Sequence, residues 1–504
     1  MFRVLLVSTG SNLLLMLVKL VLTFIMTPIM VRYLGNYDYG LWEMVMAVIG
    51  YMGMLNLGIS PAISRFAAKY RAEGDLENLH RVFASSFVFL IAVGVVVSCL
   101  LAGWGLLFSE IMTPDGGNPI VYKYFMLILA GQLLIMFPGH AAESFLEGFQ
   151  KYYVKNNITM VNSIVGAIVF IIYATPENAL LLLAALNALG LIIKYVLFTI
   201  MLARPAFGAI RFYRSSWSLE KLGELLKFSF KSFIQGIATN IESATDNLVI
   251  GGFLGPAVVP FYSIPQNLTR YIQALGWTLS HAFMPMFSDL NARFKQDEIR
   301  SLYLVASKVV AGLVASMGLG MLGIGTPFLA LWVGPEYTEQ SDQIILLLVL
   351  FTAIPMLNPF SSRYLTAIDK HGVFAKLMPV SAAANLGLSI LLVQDYGILG
   401  VAVGSLIPVL FLQPVILMHS CRHLGISPGH YLLESLLPLM FPLLAMSGVL
   451  GVMRFLVVID SYWVVVTTVA LAVLVYGVFF WIFSLKADEK RFVMNKIRKR
   501  TGKV

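Results

Sequence analysis

Apolar positions along this chain come in blocks of about 20 residues, parted by short charged or Pro/Gly-containing breaks. Each block has the length a helix needs to cross the hydrocarbon of a bilayer, at 1.5 Å of rise per residue. The pattern predicts spans near 8–31, 39–58, 82–107, 120–145, 157–174 and 179–202. A second series lies near 226–250, 258–284, 303–331, 342–365, 373–393 and 397–419, and a final pair near 431–456 and 462–484. The fold class is therefore an all-α polytopic membrane protein of about fourteen transmembrane helices. Its expected organisation is an N-lobe over 1–203, an amphipathic cytoplasmic linker over 204–225, a C-lobe over 226–420, two additional helices over 421–485 and a basic tail over 486–504. The first apolar run, Leu13 to Met30, is too long for a signal-peptide core and is read as the first span.

The chain also repeats itself. Shifted by 220 positions, Tyr33-Leu34-Gly35 falls on Phe253-Leu254-Gly255, Trp42 on Tyr262 and Phe83 on Tyr303. Shifted by 219, Phe145-Leu146 falls on Tyr364-Leu365, Lys151 on Lys370 and Val161 on Val380. The unit so bracketed holds six spans. Six is even, so the two copies share an orientation and are expected as parallel repeats around a central cavity, with the last two spans outside the duplication.

Composition agrees with a membrane chain: 59% of residues are hydrophobic and 12% charged, against about 25% charged in soluble domains. The net charge of +9 would suggest nucleic-acid binding in a soluble protein; here the basic residues sit in alternate short loops. Arg65, Lys69, Arg71 and Arg81, then Lys151 and Lys155, Arg204, Arg211, Arg214 and Lys221, Arg293, Lys295 and Arg300, Arg363 and Lys370, and the tail from Lys486 all fall on one side. Glu110, Asp115, Glu177, Glu336, Glu339 and Asp395 fall on the other. Lys and Arg mark the cytoplasmic side, so a multi-pass protein of the cytoplasmic membrane with both termini inside is expected. The two cysteines, Cys99 and Cys421, imply no disulfide framework.

Charges inside spans cost about 2.5–3.5 kcal/mol each on insertion scales and normally face a cavity or a partner. In the first span Ser8, Asn12, Lys19, Thr23 and Thr27 share one helical stripe. The seventh carries Lys231, Gln235, Thr239, Glu242 and Asp246, and the eighth Gln266, Arg270, Gln273, Trp277 and His281. Glu43 lies near the outer end of the second. Lys19 and Arg270 are the candidate ligands of an anionic headgroup; Asn12, Thr23, Gln235, Thr239, Gln266 and Gln273 are candidate polar lining; Glu43, Glu242 and Asp246 are candidate ion-coupling carboxylates, with H⁺ or Na⁺ as the ion. Hydrogen bonding between helices is the structural alternative for the stripes. Prolines such as Pro28, Pro138, Pro265 and Pro327 interrupt many spans, which suits a protein that bends but is common in membrane helices anyway.

The chain has no G-x-x-x-x-G-K-[ST] loop and no H-E-x-x-H spacing among its seven histidines, so neither a nucleotide-hydrolysis engine, a metal site nor a cofactor is expected. A carrier is favoured over an enzyme.

Met30-Val31-Arg32-Tyr33-Leu34-Gly35 with Tyr39-Gly40-Leu41-Trp42, Leu226-Lys227-Phe228 leading to Ile250-Gly251-Gly252-Phe253-Leu254-Gly255, and Phe145-Leu146-Glu147-Gly148-Phe149-Gln150-Lys151 resemble the polysaccharide-export proteins of the multidrug/oligosaccharidyl-lipid/polysaccharide superfamily. The resemblance implies MATE-like lobes and a flippase that moves an undecaprenyl-pyrophosphate-linked oligosaccharide across the membrane for surface polysaccharide assembly. Lys and Arg suit a pyrophosphate, and Gln, Asn and Thr suit sugar hydroxyls. The partners expected are that lipid-linked substrate and membrane lipids, with no nucleic acid. A drug/cation antiporter of the same superfamily, a membrane polysaccharide polymerase, and a pore or scaffold are the competing readings.

The loop asymmetry generates a topology prediction. Single cysteines placed at Arg71, Arg214 or after Lys486, in a chain lacking Cys99 and Cys421, are expected to resist an impermeant thiol reagent in intact cells, while those at Asp115, Gly255 and Glu336 react. Labelling from outside at position 214 would overturn the span count.

Overall fold

The computed structural model describes the backbone of residues 2–54, 58–107, 109, 118–205, 208–281, 283–370 and 372–491; within these, the side chains of 2–7, 9, 54, 230–244, 285 and 375 fall outside the description. Every regular element among the described residues is a helix. The chain divides into two compact units, Met1–Pro260 and Phe261–Val504.

In the first unit, α1 (Phe2–Met54) joins the first two predicted spans and breaks at Gly35, whose φ of 69° and ψ of 178° only glycine adopts without strain. The basic segment that follows is not a plain loop. It forms α2 (Ile59–Glu73), because Ile59, Ala62, Ile63, Ala67 and Tyr70 recur at helical spacing and are buried, while Lys69 and Arg71 stay outside. Asp75 caps α3 (Leu76–Leu107): its carboxylate accepts the Asn78 backbone N–H at 2.9 Å and the Asn78 amide at 2.6 Å. Those two hydrogen bonds hold the Asp75 carboxyl below the usual carboxylate range.

Asn118 caps α4 (Pro119–Gly148), accepting from the Ile120 N–H at 3.0 Å, with Pro119 where a missing donor costs nothing. Next come α5 (Tyr152–Tyr173), α6 (Ala179–Ala203) and, after an irregular stretch, α7 (Leu219–Leu254), capped by Ser218. Helix α4 lies against α2, α3 and α6, and α1 against α5 and α7. Small residues permit these approaches. The Ser64 hydroxyl donates to the Ser144 carbonyl at 3.0 Å, and a Cβ on Gly148 would lie 2.4 Å from the Ser64 carbonyl oxygen.

Helix α8 (Val259–His281) leads into the second unit, followed by α9 (Met284–Ala292), α10 (Gln296–Trp332), α11 (Ser341–Met356), α12 (Ser361–Ala367), α13 (Gly372–Leu424), α14 (Pro428–Tyr431), α15 (Met440–Leu456) and α16 (Tyr462–Phe479). The single span expected over 342–365 is two helices, interrupted at 357–360 between Pro355 and the start of α12. Proline removes a backbone donor, and the freed groups there find other partners. The Tyr431 hydroxyl donates to the Leu357 carbonyl at 2.7 Å, and the buried Tyr303 hydroxyl bonds Asn358 Oδ1 at 2.5 Å and Ser361 Oγ at 3.0 Å. Around them Phe287, Phe360 and Tyr364 complete an aromatic core. Helices α15 and α16 pack on α10, where the 2%-exposed Lys308 ammonium pairs with Glu489 at 3.0 Å and donates to the Ser484 carbonyl at 3.1 Å.

Ten described helical segments are long and apolar enough to cross a membrane. Two of them, α1 and α13, contain a non-helical glycine, Gly35 and Gly397, at the junction of two predicted spans. Helix α8 lies outside that set, in keeping with its polar stripe.

The backbone carries the repeat as well. Left-handed or extended positive-φ turns occur at Gly35 (69°) and Gly255 (92°), at Gly74 (72°) and Phe294 (56°), and at Gln150 and Asp369 (57° each), spaced by the same 219 or 220 positions as the sequence matches. The equivalent ring pairs recur too: Phe83 meets Phe145 edge-on at 5.2 Å, and Tyr303 meets Tyr364 edge-on at 5.7 Å.

A Cβ on Gly40 would lie 1.8 Å from the Pro256 carbonyl oxygen, a backbone atom that cannot swing aside. Gly40→Ala is expected to destabilise the protein by about 1–3 kcal/mol, read as a lower midpoint of thermal unfolding in detergent. Gly50→Ala, with open space around it, is expected to leave the midpoint unchanged or slightly raised.

Candidate functional site

The polar interior of the first unit is assembled from four helices. On α4, His140, Glu143 and Glu147 are spaced by three and four residues and share one face. Glu143 sits between two lysines from neighbouring helices: its Oε1 is 3.5 Å from Lys155 Nζ on α5 and its Oε2 3.6 Å from Lys194 Nζ on α6. Lys155 also donates to Glu147 Oε1 at 2.5 Å, and His140 Nδ1 lies 3.8 Å from Glu143 Oε2. The Tyr195 hydroxyl hydrogen-bonds Glu143, and the Lys194 ammonium stands 4.2 Å over the Tyr195 ring. Side-chain exposure runs from 13% at Lys194 to 29% at Glu147, so these are charges taken out of solvent. Buried charges persist only where partners offset their desolvation.

Helix α1 borders this cluster. Asn156, next to Lys155, donates to Asn12 Oδ1 at 2.6 Å and to Ser11 Oγ at 3.0 Å. Thr23 and Thr27 turn their hydroxyls to the carbonyls four residues back, at 2.9 and 2.8 Å, so part of the predicted lining is satisfied on its own helix. Lys19 is exposed, and its charge reaches Lys194. By formal charge, the three lysines Lys19, Lys155 and Lys194 stand against the two carboxylates Glu143 and Glu147.

Elsewhere in this unit Asp246 is buried on α7 beside Thr245, whose hydroxyl pairs with Tyr51 of α1, and Glu43 is half-buried. The side chains of Lys231, Gln235, Thr239 and Glu242 lie outside the described residues. In the second unit, α8 carries a buried Gln266, a half-buried Gln273 and a half-buried Arg270 whose guanidinium reaches Asn267 Oδ1 at 3.5 Å. Among the described residues no three His, Cys, Asp or Glu side chains gather as metal ligands.

The sequence reading missed Glu143, Lys194 and His140, and it placed Lys155 in a cytoplasmic loop. The structure starts α5 at Tyr152 and folds Lys155 inward. The signal was available for all three of these, since His140, Glu143 and Lys194 fall inside predicted spans.

A family model described as polysaccharide biosynthesis protein matches residues 5–291. The chain is 21% identical to the uncharacterized membrane protein EpsK of Bacillus subtilis, over 99% of both chains. It is 22% identical to the succinoglycan biosynthesis transport protein ExoT of Rhizobium meliloti, over 73% of this chain and 70% of the relative. Among solved structures, the lipid II flippase MurJ in an inward closed conformation superposes with a TM-score of 0.72 at 14% identity, covering 94% of this chain and 98% of that one. An inward-facing MATE family transporter of the MOP superfamily gives 0.67 at 14% identity, covering 79% and 93%. With the fold shared and more than half of its length matched, this chain belongs to the polysaccharide biosynthesis protein family of membrane proteins.

Proposed function

We propose that the protein is a flippase, a carrier and not an enzyme, that moves a lipid-linked oligosaccharide across the cytoplasmic membrane by alternating access, with undecaprenyl pyrophosphate as the lipid carrier. The observation that carries this reading is the gathering of Lys155 and Lys194 around Glu143 in the polar interior of the first unit, with the exposed Lys19 near enough for its charge to act on Lys194. An anionic headgroup suits the exposed lysine. The lipid tail stays in the bilayer while the saccharide crosses, so no apolar tunnel for it is needed. The names of the similar proteins, a succinoglycan transport protein and a lipid II flippase, point the same way.

In this scheme Lys19, Lys194 and Arg270 hold phosphate oxygens, and Asn12, Gln266 and Gln273 serve hydroxyls; Gln235 and Thr239 keep their place on the α7 stripe. Glu43, Glu242 and Asp246 remain the coupling carboxylates for H⁺ or Na⁺. A cationic drug is the poorer fit, since Glu143 and Glu147 are already taken by lysines and a cation would meet net positive charge.

Lys19→Gln and Arg270→Gln are each expected to lower surface polysaccharide in intact cells, and flipping of a lipid-linked oligosaccharide in proteoliposomes, by roughly 10–100-fold, the worth of one charge-assisted hydrogen bond. Membrane abundance should stay at the wild-type level. Arg270→Lys should recover only part, because an ammonium does not reproduce a bidentate guanidinium. Full transport by both neutral variants at normal abundance would exclude the headgroup role.

A further inference from the structure

At the end of the first unit opposite its basic loops is a cavity of about 310 Å³ lined by Tyr37, Asp38, Leu41, Asn118, Val121, Tyr122, Glu177 and Leu180. Three chain features form it: the stretch of α1 just after the Gly35 break, the capped start of α4, and the turn before α6. The turn is fixed by Asn178, whose amide oxygen accepts the Thr175 N–H at 2.9 Å and whose NH₂ donates to the Tyr173 carbonyl at 3.2 Å, presenting Glu177. Leu41 and Leu180, each 4% exposed, make an apolar floor. Tyr122, 3% exposed, is held by a hydrogen bond with Trp104.

We infer that this cavity is a binding subsite for an uncharged sugar ring, met on the exit side of transport. The inference rests on the flippase reading for its place in the cycle. It deepens that reading by giving the saccharide its own contact, apart from the headgroup.

The chemistry is that of sugar recognition. Asp38 and Glu177 have no cation paired with them among the described residues, and each carboxylate can accept from two neighbouring hydroxyls. The Asn118 side chain spends its oxygen on the α4 cap, which leaves its NH₂ to donate to a ring or hydroxyl oxygen. Tyr37 and Tyr122 add aromatic rings to the lining, a surface suited to the apolar C–H groups of a pyranose. The volume stands at the lower end of small-molecule sites, the size of a single sugar ring with some water.

The same groups select among ligands. Two carboxylates without a counter-charge repel a hexuronate. They also do not complete a calcium site, which takes six to eight oxygen ligands. The cavity therefore favours neutral hexoses and N-acetylhexosamines.

The test uses the full chain in nanodiscs, titrated with free glucose, galactose, N-acetylglucosamine and glucuronate, and separately with calcium chloride, while tryptophan fluorescence is read. At least one neutral sugar is expected to give saturable quenching in the millimolar range. Asp38→Asn and Glu177→Gln should each weaken it at least fivefold, and Lys19→Gln should leave it unchanged. Glucuronate should bind at least fivefold more weakly than the neutral sugar. No saturation by any neutral sugar, or binding indifferent to both carboxylate variants, would overturn the subsite. Carboxylate-dependent calcium binding with no sugar response would overturn it in favour of a cation site. Because free sugars and binding alone are measured, this result is independent of whether Lys19→Gln abolishes flipping.

Discussion

Glu143 shared between Lys155 and Lys194 is the contact on which the first unit's chemistry rests. A lone ammonium in the apolar layer would be expelled or neutralised, and two of them facing one another would be worse. One carboxylate from α4, placed between lysines from α5 and α6, lets both charges stay and ties three helices at one point. The ring of Tyr195 under Lys194 and the second carboxylate at Glu147 complete the compensation. What is left over is Lys19, from a fourth helix, the exposed cation of the group.

The same economy holds at Lys308, which is held by Glu489 and a carbonyl from beyond the last helix, and at the surface Arg454 pairs with Asp342 at 2.9 Å. Hydroxyls of Thr23, Thr27, Ser86 and Thr352 fold back on their own helices. Polar residues in spans thus divide into those satisfied locally and those that need a partner from another helix, and only the second kind organises a site.

This division marks what was legible in the sequence. Helix positions, the polarity of alternate loops and the duplication are local or periodic properties, and the paired positive-φ turns at Gly35 and Gly255, or Gln150 and Asp369, show the repeat at the level of single residues. The break of α1 at Gly35 was readable as a gap between apolar runs. The amphipathic α2 was readable too, from apolar residues at positions 59, 62, 63, 67 and 70, but the basic residues between them had been taken for a loop. The pairing of Glu143 with Lys194 was not, because residues 51 apart meet only through the packing of α4 on α6. A stripe on one helix, such as Asn12 to Thr27, says which residues look the same way and nothing of what they face.

Comparing the two copies of the repeat separates structure from function at the cluster. By the 219 shift His140, Glu143, Glu147 and Lys155 correspond to Pro359, Ser362, Thr366 and Phe374, and Lys194 falls within Phe411 to Gln413. None of these is charged. The second copy fills its interior with Phe287, Tyr303, Phe360, Tyr364 and Tyr431 instead, and still forms a helical unit with a buried core. A fold that stands without the charges in one copy does not require them in the other, and replacing a buried ion pair by apolar groups is often neutral or stabilising. Their presence in the first unit is therefore better explained by what they hold than by what they support, which favours the proposal that Lys19 and Lys194 meet an anionic group.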